Sequence, residues 1–236
     1  MQVRWMKSKS FLAGAALIAG LAVTANPAAS GSRDRAGDFD YYALVLSWSP
    51  TYCEGAGSDR AEPQCDGKRP YAFVLHGLWP QYESGYPESC EIGRKPWVPK
   101  SVIRAMLDIM PSERLVIHEF KKHGTCSGLQ AEDYFGLSRR LFGQITVPAR
   151  YAAAKSELHL TPKEITDDFL AANPQLTAAM ISVDCAKKGR LRELHVCFSK
   201  EGLPRACGKN EERGSCRAST VTLPPIRGKT TGDGDM

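Results

Sequence analysis

Apolar and polar residues follow two distinct periods along this chain. The run Tyr41-Tyr42-Ala43-Leu44-Val45-Leu46-Ser47-Trp48 is short, nearly continuous and rich in aromatic and branched side chains, which predicts a core strand. Pro70-Tyr71-Ala72-Phe73-Val74-Leu75 reads as a second strand, emptying into His76-Gly77-Leu78-Trp79-Pro80, where Gly and Pro predict a turn. Residues 54–70 and 81–99 are polar and rich in Gly, Pro and charge, hence loops. The period then lengthens. Helical patterns cover Ser101–Met110 and Ser112–His123, the second with Ser112 as N-cap and Gly124 as stop. Tyr134, Leu137 or Ser138, Leu141 and Phe142 mark a third helix. Thr161-Pro162-Lys163-Glu164 is a capping box that opens a fourth, running through Ile165, Phe169 and Leu170 to a stop near Asn173-Pro174. Ala179–Cys185 and Arg190–Phe198, separated by Lys187-Lys188-Gly189, predict a hairpin. Strands at both ends with helices between them predict an α+β domain.

With 236 residues the chain suits one domain or two small ones, and neither a repeat nor a clear linker divides it. A composition of 42% hydrophobic and 24% charged residues excludes collagen, coiled coil and wholesale disorder. The formal charge of +5 hints at an anionic partner, but the first residues weaken that hint. Arg4, Lys7 and Lys9 precede an apolar run from Phe11 to Val23 and then small residues, the pattern of a signal peptide over residues 1–25. The run is too short for a comfortable membrane span. Cleavage near Ala25 leaves 28 basic residues against 26 acidic ones, about +2, too little to hold a polyanion by bulk charge. Residues 26–38 read as a mobile segment, 39–217 as the domain and 218–236 as a polar tail. All eight cysteines lie beyond the signal peptide, and an even number in an exported chain reads as a disulfide framework. The shortest spacing between them, nine residues from Cys207 to Cys216, argues against a zinc site.

Three of the five histidines fall in two segments, Phe73-Val74-Leu75-His76-Gly77-Leu78-Trp79-Pro80 and His118-Glu119-Phe120-Lys121-Lys122-His123-Gly124-Thr125-Cys126. On a helix, positions four apart share a face. His118 therefore stacks with Lys122, and Glu119 with His123, so two imidazoles, a carboxylate and an ammonium converge on one side. A zinc-protease reading needs histidines four apart, whereas His118 and His123 are five apart, about 140° around the helix. A solvated charged face is the bland alternative. Acid–base catalysis on a phosphodiester is the third, with cations for the charge that develops on phosphorus. His76 in a Gly-containing segment just before Trp79 favours this third reading, because it adds another titratable imidazole and an aromatic face on which a base can stack.

HGLWP at 76–80 together with HEFKKHGTC at 118–126 resembles, nearly residue for residue, the two active-site segments of the ribonuclease T2 family. The similarity extends more loosely from about residue 39 to about 216. It implies a single-domain α+β fold, a central antiparallel sheet flanked by helices and stapled by disulfides. It also implies an exported, periplasmic or extracellular endoribonuclease without metal or other cofactor. Such an enzyme cleaves single-stranded RNA in two steps, transphosphorylation by the 2′-OH to a 2′,3′-cyclic phosphate and hydrolysis to a 3′-phosphate. DNA, lacking the 2′-OH, is not cut. Further implications are a monomer and no membrane contact after signal removal.

By motif position, the resemblance implies His123 as the base, His76 as the acid, and Glu119 and Lys122 as stabilising the phosphorane. It further implies that His118 binds phosphate and that Trp79 stacks a base. The pairs implied are Cys90–Cys126, Cys185–Cys216, Cys197–Cys207 and Cys53–Cys65. Phe120 stands where many members have Trp, and Gln81 where some carry an acid linked to base choice. Tyr82 or Tyr86 offers a second stacking ring. His159 and His195 lie outside both motifs and receive no role. The rivals are a secreted binding protein on the same scaffold whose activity has lapsed, and a metal-dependent hydrolase.

Overall fold

The computed structural model describes Met1 and residues 34–55, 62–66 and 68–226. The expected signal peptide, most of the segment expected to be mobile, part of the loop after residue 54 and the last ten residues lie outside them. In chain order the elements are β1 (Tyr41–Trp48), α1 (Ser49–Gly55), β2 (Phe73–Gln81), α2 (Lys100–Met106), α3 (Glu113–Lys122), α4 (Ala131–Gly143), α5 (Ala149–Ala152), β3 (Leu158–Leu160), α6 (Pro162–Ala172), β4 (Ile181–Ala186), β5 (Arg190–Phe198), α7 (Lys209–Gly214) and β6 (Val221–Leu223). The fold is α+β, with one six-stranded sheet ordered β2-β1-β5-β6-β3 and β4 paired to β5. Between the named strands every pairing is antiparallel except a single parallel contact, Arg190 with Thr222, between β5 and β6.

Strand alternation sorts the sheet into two faces. Tyr42, Leu44, Leu46 and Trp48 of β1 join Phe73, Leu75 and Leu78 of β2 and Leu194, Val196 and Phe198 of β5 in one core. Ile103, Met106, Val116, Phe120, Tyr134, Leu141, Ile165 and Phe169 from α2, α3, α4 and α6 complete it. The alternate positions, Ser47 of β1, Gly77 and Trp79 of β2, Asp184 of β4, Glu193 and His195 of β5, face the other way and are mostly polar. Val116 and Phe120, four apart on α3, bury one side of that helix and leave His118, Glu119 and Lys122 on another.

Both expected caps are present. Ser112 Oγ accepts from the Leu115 N–H, and Thr161 with Glu164 forms a reciprocal capping box. Four disulfides, Cys53–Cys65, Cys90–Cys126, Cys185–Cys216 and Cys197–Cys207, use all eight cysteines in the pairs that the resemblance implies. Cys90–Cys126 closes a span of 36 residues, for which loop-closure entropy gives about 3–4 kcal/mol. Beside it the Ser89 N–H donates to Lys122 O at 2.7 Å, so the end of α3 is pinned twice.

Three expectations need correction. HGLWP is not a turn, because β2 runs on to Gln81. As the outermost strand of its side of the sheet, β2 tolerates Pro80, which has no N–H to give to a further neighbour. The residues after Cys216 are not simply a tail, since Val221 and Leu223 are fully buried in β6 and Trp48 Nε1 donates to Pro224 O at 3.1 Å. Residues 35–38 are held against the domain: the Gly37 N–H donates to Cys126 O at 2.9 Å, and Arg35 bridges Glu91.

Candidate active site

The β1–β2 ladder slips by one residue between Val45 and Leu46, which pair with Gly77 and Leu75. His76 is the extra residue of a β-bulge, a device that re-aims a side chain. It points at two carboxylates. Its Nδ1 is 2.6 Å from Glu193 Oε1, and its Nε2 is 3.5 Å from Glu119 Oε1. Gly77 is required by what lies beside it. A Cβ there would sit 2.1 Å from Glu119 Oε2 and 2.6 Å from Trp79 Nε1, so any side chain would displace the Glu119 carboxylate.

From α3 come Glu119, 1% exposed, and His123, which caps the helix at its C-terminus. Trp79 Nε1 donates to Glu119 Oε2 at 2.7 Å. The indole face stacks on the His123 ring at 4.8 Å and 21°, while its edges meet His76 at 5.1 Å and His195 at 5.6 Å. Lys122, at the rim, reaches Glu88 at 3.5 Å. All six residues singled out in the sequence therefore surround one site: His76, Trp79, His118, Glu119, Lys122 and His123 line the same recess.

The electrostatics separate the imidazoles of His76 and His123. Burial lowers the pKa of His123, and the charges of Lys122, His76 and His118 lower it further, to about 3. Its Nδ1 is buried without a hydrogen-bond partner among the described residues, so its ring is neutral through the physiological range. Burial also works against a charge on His76, but the hydrogen bond to Glu193 and the carboxylates of Glu119 and Glu193 outweigh it and raise its pKa. Glu119 is pushed up by burial, a shift that His76, the Trp79 hydrogen bond and Lys122 oppose. The site thus biases the His123 ring toward its neutral form and the His76 ring toward its protonated form.

Sequence reading missed a third layer. Glu193 and His195 alternate along β5 between Leu191, Leu194 and Val196, so both face the site. His195 Nε2 is 3.3 Å from Glu193 Oε2, and its Nδ1 is 3.8 Å from Glu211 Oε1 of α7. Glu211 Oε2 in turn accepts from the Tyr41 hydroxyl. Burial disfavours charge on His195, yet the two glutamates raise its pKa to about 9. Burial likewise opposes ionisation of Glu193, but hydrogen bonds from His195 and His76 hold it well below the ordinary carboxylate value. The available signal was Glu193 and His195 at period two, set against Leu191, Leu194, Val196 and Phe198 of the same strand. His159, by contrast, lies on the surface beside Glu157 at 3.2 Å.

Asp184, Glu193 and His195 are the group among the described residues whose ligand atoms approach closely enough for a metal ion, all within 4.8 Å. Their charges are already paired within the protein. Arg192 pairs with Asp184, Glu193 serves His76 and His195, and a protonated imidazole is a poor ligand.

A cleft of about 930 Å³ and a smaller recess of about 420 Å³ open at this centre and share His76, Trp79, His118, Asp184 and His195. The larger one is bordered by Tyr52, Gln64, Arg114 and Arg192, the smaller by Gln81, Tyr86, Lys122 and Asn210. The model of the Ribonuclease T2 family matches residues 39–207. A ribonuclease of Aeromonas hydrophila is 38% identical over 207 residues, spanning 83% of this chain and 90% of its own. Ribonuclease 1 of Arabidopsis thaliana is 32% identical over 223 residues, spanning 82% and 90%. Among solved structures, trichomaglin, described as a novel S-like ribonuclease, superposes with a TM-score of 0.63 at 26% identity over 80% of this chain and 98% of its own. A match that takes in both motif segments and most of the sheet, with relatives this similar along most of their length, places the chain in the ribonuclease T2 family.

Proposed function

We propose that the protein is an endoribonuclease that cleaves single-stranded RNA through a 2′,3′-cyclic phosphate. The observation that carries this reading is the opposite perturbation of two imidazoles on one cleft, His123 to about 3 and His76 upward. His123 takes the proton of the 2′-OH, whose oxygen attacks phosphorus. His76 gives its Nε2 proton to the departing 5′-oxygen, since Nδ1 is engaged by Glu193. In the second step neutral His76 takes a proton from water, the hydroxide opens the cycle, and His123 returns its proton to the 2′-oxygen. Lys122 supplies positive charge, and His118 a ring N–H, to the phosphoryl oxygens. Glu119, buried between His76 and Trp79, helps keep His76 cationic.

Trp79 has one ring face covered by His123, which favours a role in holding three imidazoles in register. Tyr86, 53% exposed on the smaller recess, then offers the ring for a base, with Gln81 and Asn210 at hand for its edge. Space on both sides of the centre suits a strand that runs through, as an endonuclease requires. Four disulfides and the basic, then apolar, N-terminal sequence support export to the periplasm or beyond, after cleavage near residue 25.

The test is RNA and DNA of one sequence in excess EDTA. RNA alone should be cut, with cyclic and then 3′-phosphate ends. Inertness toward both would favour the lapsed binding protein, and loss of activity on chelation the metal-dependent rival. The pH profile of kcat/KM is a second check. Activity is lost as pH falls through the pKa of His123 and as it rises through that of His76, so the acidic limb should lie well below 6.5 and the basic limb above it. An acidic limb at or above 6.5 would contradict the assignment of His123.

A further inference from the structure

We propose that Glu193 is a positioning residue for His76, and that His195, Glu211 and Tyr41 form a buried line behind it that fixes Glu193 in turn. The line draws on four elements. His76 is the bulged residue of β2, Glu193 and His195 stand on β5, Glu211 on α7 and Tyr41 on β1. Glu193 is 6% exposed and sits in the middle of the sheet, opposite Ser47 of β1 and Asp184 of β4. Its two oxygens are divided, Oε1 to His76 Nδ1 at 2.6 Å and Oε2 to His195 Nε2 at 3.3 Å. His195 continues to Glu211 at 3.8 Å, Glu211 accepts from the Tyr41 hydroxyl, and that hydroxyl accepts the Gly208 N–H at 3.2 Å. Acid, base, acid and phenol alternate, so each charge faces its opposite or a donor.

This arrangement acts on His76 in two ways. A carboxylate on Nδ1 keeps a proton there in both charge states, so Nε2 is always the nitrogen that exchanges with substrate. That matters twice, because His76 donates from Nε2 in the first step and accepts on Nε2 in the second. It also aims the ring. A residue in a bulge has lost its regular ladder neighbours, and Glu193 fastens it to the centre of the sheet. An ion pair this buried adds little to stability over apolar residues of the same shape, so a structural purpose alone explains it poorly. The charged and titratable groups that face the pair are Glu119, Lys122, His118 and His123 from α3, Arg192 and His195 from β5, Asp184 from β4 and Glu211 from α7.

The proposal rests on His76 as the proton donor, and the test separates the two. Glu193→Gln keeps the size and removes the charge. Its kcat on a dinucleotide should fall about tenfold or more with KM within about twofold, because Glu193 acts on the proton donor rather than on binding. The basic limb of the pH profile should move down by about one unit or more, and the His76 ring signal of the substrate-free protein should titrate lower by a similar amount. If neither the limb nor the titration moves, the positioning role is overturned whatever happens to the rate. If the titration moves and the limb does not, the positioning stands and the acid role of His76 falls. Should Glu193→Gln not fold, Glu211→Gln, two groups further along the line, is expected to shift the His76 titration in the same direction by less. A His76 signal unmoved in that variant overturns the line.

Discussion

Replacing His123 by alanine is expected to lower kcat/KM on RNA by about 10²–10⁴-fold while leaving the protein folded. The variant removes the group that takes the 2′-OH proton, and nothing nearby replaces it. His76 is biased toward its protonated form by Glu193 and Glu119, Lys122 is a cation, and Glu119 has its oxygens committed to Trp79 and His76. Hydrolysis of the cyclic phosphate should fall as well, since the same ring protonates the 2′-oxygen in that step. The ring is 5% exposed and stacked on Trp79, so alanine leaves a void that loosens the indole. His123→Gln fills much of that void without supplying a base and should lose as much activity as the alanine variant. Melting curves for both, beside the rates, separate lost chemistry from lost packing. Near-normal turnover in either folded variant would remove His123 from the mechanism.

The parts of this site that could be read in the sequence are those whose geometry is local. His118, Glu119, Lys122 and His123 fall within six residues, and the helical period alone brings them together once Val116 and Phe120 have fixed which side is buried. The caps at Ser112 and Thr161 are local for the same reason. Glu193 and His76 are 117 residues apart and meet only because β1 inserts between β2 and β5, so no spacing rule could pair them. HGLWP misled because Gly and Pro are turn signals in general. Here one makes room for a carboxylate and the other sits on an edge strand, circumstances visible only after the sheet is assembled. β3 and β6, three residues each, are too short to show a period, and they hold through burial of Leu160, Val221 and Leu223 instead.

Removal of His76 is expected to be as damaging on RNA as removal of His123, about 10²–10⁴-fold for His76→Ala, and the two losses should differ in kind. A ribose 5′-oxygen leaves as a poor alkoxide unless it is protonated, and His76 supplies that proton from Nε2. If the leaving group is 4-nitrophenolate, which departs stably as an anion, no proton is needed in the transition state. On a nucleoside 3′-(4-nitrophenyl phosphate), His76→Ala should therefore recover most of the wild-type rate, whereas His123→Ala should not, because the 2′-OH must still be deprotonated. Opening of a 2′,3′-cyclic phosphate sharpens the contrast. There His76 is the base toward water, so His76→Ala should be slow again despite its recovery on the aryl ester. The pH profile of His76→Ala on that ester should keep its acidic limb, which belongs to His123, and lose its basic one. Recovery by His123→Ala in place of His76→Ala would exchange the two roles, and equal losses on every substrate would point to His76 as a phosphate-binding cation.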